Sequence, residues 1–183
     1  LDQFSNAMDM SNLRWLDKLP KIVGEVSSAL HLQAGEDLAT VTSQLKGALT
    51  QLARMAMDLV WARTGQNAQG GGQDGTLRFA HGILPEGLTE PVLQIHAQAT
   101  GLSKALEALG LEVKAVAKED PGQATLCAQL YAKMGALAPR LNGVVSTAGL
   151  LLEHGPQPLA KWLQAESEHG YLTMTAHACP IVP

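Results

Sequence analysis

The chain has 183 residues, 46% of them hydrophobic and 16% charged, with a formal net charge of −4. That is enough apolar material for one packed domain and excludes a disordered chain. Lys and Arg are scattered, which excludes strong autonomous binding to nucleic acid, because phosphate contacts need concentrated positive charge.

Only 4% of residues are aromatic, so the core must be aliphatic, which favours helices. Two cysteines, Cys127 and Cys179, are too few for a disulfide scaffold or a four-thiolate metal site. They fit reduced thiols in a cytoplasmic protein. No apolar run reaches transmembrane length, so no membrane partner is expected.

In chain order, "SNAM" at positions 5–8 reads as the scar of a cleaved tag. Residues 1–7 are therefore expected to be a tag remnant, and 8–183 a single domain. The first helix is expected to open at Ser11 as N-cap, with Leu13, Leu16, Val23, Val26 and Leu30 on its apolar side. Pro20 predicts a kink or a break near Leu19, and Gly35 a stop.

A second helix starts at Glu36 and Asp37, acids suited to the positive end of the helix dipole. Its seam reads Leu38, Val41, Leu45, Ala48, Leu52, Met55 and Leu59, in gaps of three and four. "ARTGQNAQGGGQDG" can bury no face and reads as a flexible loop. No Gly-Lys-Ser or Gly-Lys-Thr follows it, so it is no phosphate loop.

"TLRFAHGILP" reads as a strand near 76–82. A third helix is expected near Thr89, with Pro91 in its first turn and Leu88, Val92, Ile95, Ala99, Leu102, Leu106, Leu109, Val113 and Val116 on one stripe. "KEDPGQ" is a turn. The fourth helix carries Leu126, Leu130, Met134, Leu137, Leu141, Val144, Ala148 and Leu151, with a kink predicted where the Pro139 ring crowds the carbonyl of Gly135.

From Leu159 to Ile181 two strands flank a "SEHG" turn, and alternation along the second predicts a half-buried hairpin. A lone hairpin is marginal in water, and the strand near 76–82 is the candidate third member. The expected fold is thus mainly α: an antiparallel bundle of about four long helices with a small β annex.

No chemistry stands out. His154, His169, His177 and Cys179 match no zinc spacing and read as solvated or edge residues. Glu166 and Glu168 beside a turn lack a partner nucleophile, and no triad is visible, so no catalytic or metal residue is assigned. Trp15, Trp61 and Trp162 sit near segment ends, as amphipathic caps to the core. Lys133 and Arg140, seven apart, would share a face of the fourth helix. Lys104 and Lys118 nearly do so on the third. With Arg78 and Phe79 beside the glycine loop, these six are the candidate DNA contacts. Residues spaced like the lysines and Arg140 more often form an ordinary solvated face, and Arg78 and Phe79 fit better as an anchor of the loop on the bundle.

Three stretches go beyond this. "LRFAHGILPEGLTEPVLQIHAQATGLSKALEAL" resembles the arch region of DinG-type DNA helicases, where an Arg-Phe-Ala-x-Gly-x-Leu-Pro stretch opens a long helix. "PLAKWLQAESEHGYLTMTAHACPIVP" resembles the segment leading out of that arch, with a Lys-Trp, an acidic turn and a strand returning to the motor. "LRWLDKLPKIVGEV" is compatible with the helix leading in. The resemblance implies an insertion domain of an XPD-like, iron–sulfur, ATP-dependent helicase that moves 5′ to 3′ on single-stranded DNA. It implies that the chain is excised, with Pro183 just before the return to the motor.

The motor and iron–sulfur domains of the same parent chain would be its partners, with single-stranded DNA bound weakly and the fragment monomeric. ATP, magnesium and the iron–sulfur cluster are expected in the parent. This chain carries no Walker A motif, no Asp-Glu-Ala-His box and no set of cluster cysteines, so no cofactor is expected here. Two other classes are distinguishable: a free-standing helical adaptor or chaperone-like protein that binds a partner helix along an open seam, and a small metal hydrolase using the C-terminal histidines.

Overall fold

The computed structural model describes residues 6–32, 36–64, 75–154, 159–168 and 171–181. The expected stop at Gly35, the glycine-rich loop over 65–74, the run at 155–158 and His169 lie outside them. The described elements are β1 (Asn6–Asp9), α1 (Lys18–Leu30), α2 (Glu36–Thr64), β2 (Gly75–Arg78), α3 (Glu86–Glu119), α4 (Ala124–Gly135), α5 (Ala138–Leu152), β3 (Leu159–Glu168) and β4 (Tyr171–Pro180). A helical bundle thus carries one antiparallel sheet, in the order β1-β4-β3-β2.

α3 forms the spine, packing against α2, α4 and α5. Its stripe is buried as the spacing predicts, from Leu88 through Val113, with Val116 partly covered. It starts three residues earlier than expected, at Glu86, so Pro91 sits in the second turn.

α2 begins at Glu36 as read, but its buried stripe is Leu38, Leu45, Leu49, Leu52, Ala56 and Val60. Val41, Ala48, Met55 and Leu59 are only partly covered. The helix is apolar over so wide an arc that two seams fit its spacing, and contact with α3 and the sheet selects one.

Both prolines mark breaks. The helix expected from Ser11 is broken ahead of Pro20: α1 begins at Lys18, so the ring falls in the first turn, where no hydrogen bond is lost. Ser11 is accordingly no N-cap. α1 ends at His31, which takes a left-handed φ of 54°, while the Leu32 N–H reaches back to the Ser27 carbonyl at 3.0 Å. Pro139 does more than kink the fourth helix. It divides it into α4 and α5, occupying the first turn of α5. The seam stays buried across the break, from Leu130 and Met134 through Leu137 to Leu151, and departs from the expected one at the start of α4, where Cys127 is buried and Leu126 is exposed.

The sheet gains one strand that the sequence did not suggest. β1 pairs with β4, Asn6 opposite Ala178 and Asp9 opposite Thr175. Beyond it the Met10 N–H donates to the Met174 carbonyl at 3.0 Å, and the Met174 N–H donates to Ser11 Oγ at 2.7 Å. Asp9 Oδ1 then accepts the N–H groups of Ser11 and Asn12, turning the chain toward α1. Asn6 and Ala7, expected as tag residues, are therefore part of the ladder.

β2 is the third strand anticipated for the hairpin, pairing with β3 from Gly75–Ala165 to Arg78–Trp162. α5 covers β1 and β4, while α2 covers β2, β3 and β4. Met8, Leu163, Ala165, Met174, Ala176 and Ala178 are all buried beneath them. The alanines let helix backbones approach the pleated face closely.

The stretch "RFAHGILP" is the joint between sheet and bundle. Phe79 is buried, and its N–H donates to the Lys161 carbonyl at 2.9 Å. Gly82 has a φ of +65°, and a Cβ there would stand 2.3 Å from the Leu159 carbonyl oxygen, so only glycine fits. Leu84 is buried and Pro85 leads into α3. The motif needs these residue types to turn the chain sharply against β3.

Candidate nucleic-acid interface

The pleat assigns alternate residues of β3 to opposite faces. Lys161, Leu163 and Ala165 point into the bundle, and Trp162, Gln164 and Glu166 point away from it. The two halves of the Lys-Trp dipeptide therefore serve different faces.

Lys161 is only 2% exposed. Its ammonium donates to the carbonyls of Leu151 at 2.8 Å and Glu153 at 2.6 Å. Those groups close α5, where carbonyls lack intrahelical partners and the dipole is negative. The lysine ties the end of α5 to the third strand. Burial pushes its pKa below the ordinary lysine value, and the nearby Glu153 carboxylate opposes this in part. The sequence carried a signal for it: strict alternation puts Lys161 in phase with Leu163 and Ala165.

On the other face, Trp162 stacks on His177 of β4, with ring centroids 4.8 Å apart and planes within 4°. Trp162 is thus no cap to the core, whereas Trp15 is core and Trp61 is half-buried. The register places Arg78, Trp162, His177 and Ala7 in one cross-strand row. Thr76, Gln164, Thr175 and Asp9 form the next row with the same orientation. Farther along, Tyr171 is 77% exposed on this face. No described helix packs on it. An aromatic stack with a guanidinium beside it and neutral hydrogen-bonding side chains along the strands can hold a planar, anionic ligand.

The six predicted contacts do not converge. Arg78 alone joins the aromatic row, and Phe79 is buried and has no access to a ligand. Lys133 pairs with Glu25 of α1. Lys133 and Arg140 share no helix face, because they lie on α4 and α5. Arg140 lines a shallow groove of about 240 Å³ with Asp9, Asn12 and Trp15. Lys104 and Lys118 are exposed on α3, about 21 Å apart along its axis.

Among the C-terminal candidates for a metal, His154 is exposed at the end of α5, and the Cys179 Sγ lies 3.4 Å from the Pro180 carbonyl oxygen. Glu166 accepts from the Gln164 amide at 2.5 Å. Among the described residues no three His, Cys, Asp or Glu side chains come together to hold a metal ion. Cys127 and Cys179 are free thiols. No described helix is long and apolar enough to cross a membrane. Neither the models of known protein families nor the curated proteins contain a match to this sequence.

Proposed function

We propose that this chain is an arch-like insertion domain of a DinG-type helicase, guiding single-stranded DNA over the motor and performing no chemistry itself. The observation that carries it is the pairing of β1 with β4. The first and last described strands run side by side, with Asn6 opposite Ala178. Paired strands stand about 5 Å apart. A domain whose first and last strands are neighbours can be inserted into a host at one place, and the two connections then hold it like a hinge. Close ends are common to many domains. The specific support is the order of the three resembling stretches, which supply the joint into α3 and the two last strands. ATP, magnesium and the iron–sulfur cluster would belong to the motor and iron–sulfur domains of the parent, in the cytoplasm.

An adaptor binding a partner helix draws support from one feature. Between α3, α4 and α5 a groove of about 330 Å³ is lined by Leu106, Leu111, Tyr131 and Met134, with Leu111 68% exposed. Fluorescence anisotropy separates the two readings. A labelled thymidine single strand at low salt is expected to bind weakly, and a duplex more weakly still. The logarithm of affinity should fall with the logarithm of salt at a slope near −1, as about one or two phosphates are neutralised. Binding to neither nucleic acid, or equal binding to both, would refute the arch assignment. A dimer held through the Leu111–Tyr131 groove in sedimentation would favour the adaptor.

A further inference from the structure

We propose that the outer face of the sheet is a stacking track for a single strand of nucleic acid. The Trp162–His177 pair is its base platform, Arg78 its phosphate contact and Tyr171 a second stacking station. This deepens the arch assignment and rests on it.

The platform is built by the sheet. Trp162 and His177 are directly opposed residues of β3 and β4, so their parallel rings are fixed by register rather than by a mobile loop. Arg78 is the opposed residue of β2 in the same row. The ionisable side chains of that row are therefore a guanidinium and an imidazole, with no carboxylate among them. The two described carboxylates on this face stand in other rows, Asp9 beside Thr175 in the next row and Glu166 opposite Thr173. Asp9 binds the backbone of Ser11 and Asn12, and Glu166 binds the Gln164 amide. Positive charge thus stands in the row of the aromatic stack, and Glu166 places negative charge between that row and Tyr171.

Tyr171 lies six residues from His177 on β4, roughly 20 Å along the strand. That is the length of a few stretched nucleotides. Between the two stations Thr175 presents a hydroxyl to sugars and phosphates, whereas the Gln164 amide and the Thr173 hydroxyl donate to Glu166. Base stacking on aromatic rings tolerates any sequence, which suits a strand that slides. A duplex cannot use the platform, because its bases are stacked on each other. A partner helix would need a continuous apolar face, and this one is broken by Gln164, Thr173 and Thr175.

The test titrates labelled thymidine single strand against the wild type, Trp162→Ala, Arg78→Ala and Tyr171→Ala, with Lys104→Ala and Lys118→Ala as controls on α3. Trp162→Ala is expected to weaken binding about tenfold, the usual effect of removing one stacking ring. Arg78→Ala should weaken it less and flatten the salt slope by about 0.7. Arg78 and Tyr171 are exposed, so their variants keep the test decisive if Trp162→Ala unfolds by circular dichroism. The lysine variants should bind as wild type. If the strand binds but Trp162→Ala, Arg78→Ala and Tyr171→Ala all match wild type, the track is overturned while the arch assignment stands. If the wild type binds no single strand, both fall.

Discussion

Leu52→Ala is expected to lower the unfolding free energy by about 2–5 kcal/mol, with an unchanged denaturant slope. Leu52 is 1% exposed on the face of α2 that meets the core. Truncation removes buried apolar surface and leaves a cavity that the long helices α2 and α3 cannot close by shifting. Leu106 on α3 is nearly as well buried, and Leu106→Ala should behave alike. Leu126→Ala is the internal comparison. Periodicity put Leu126 in a seam, but it is exposed on α4, so its loss should change stability by no more than about 0.5 kcal/mol. Equal losses at Leu52 and Leu126 in urea unfolding would mean that α4 packs by its other face.

Lys161→Ala is expected to cost about 3 kcal/mol, combining the lost buried stem with two carbonyls of α5 deprived of their donor. Lys161→Met keeps the stem and should cost less, about 1–2 kcal/mol. The pH dependence has a definite sign. Burial lowers the Lys161 pKa in the folded protein, so between that value and the ordinary 10.4 or so the unfolded chain binds more protons. The wild type should therefore gain stability relative to Lys161→Met as pH rises through that alkaline window. Below it the desolvation penalty is constant, and above it the difference levels off. A wild-type advantage that shrinks with rising pH would mean that the charged ammonium is favoured where it sits.

Legibility followed the range of the forces involved. The α3 stripe could be read almost residue by residue, because one long helix repeats its spacing over many turns and only one face is apolar. α2 misled at Val41, Ala48, Met55 and Leu59 because its apolar arc is wide and its neighbours choose the contact face. Pro139 announced a conflict with a continuous helix. Whether the chain would bend or restart depended on the burial of Leu137 and Leu141 on either side of the break. β1 was illegible: "NAMD" has too few residues to alternate, and its partner lies far away in sequence, at Thr175–Ala178.

The sheet face shows the same division. Alternation along β4 placed His177 on the outer face, and alternation along β3 places Trp162 there too. Their opposition, and the alignment of Arg78 with them, depend on strand register between segments separated by most of the chain. The six basic and aromatic candidates stand out in the sequence by residue type, and four of them by helix spacing. Spacing fails once α4 and α5 are separate helices and Phe79 faces inward.

The most direct measurement maps a short thymidine single strand onto isotope-labelled protein by amide and indole chemical-shift changes. The expected result is a single cluster of shifts at Arg78, the Trp162 indole, Thr175, His177 and Tyr171, with the α3 lysines unmoved. Shifts confined to the Leu111–Tyr131 groove or to α3, or no shifts at all, would contradict a sheet-borne guide for single-stranded DNA.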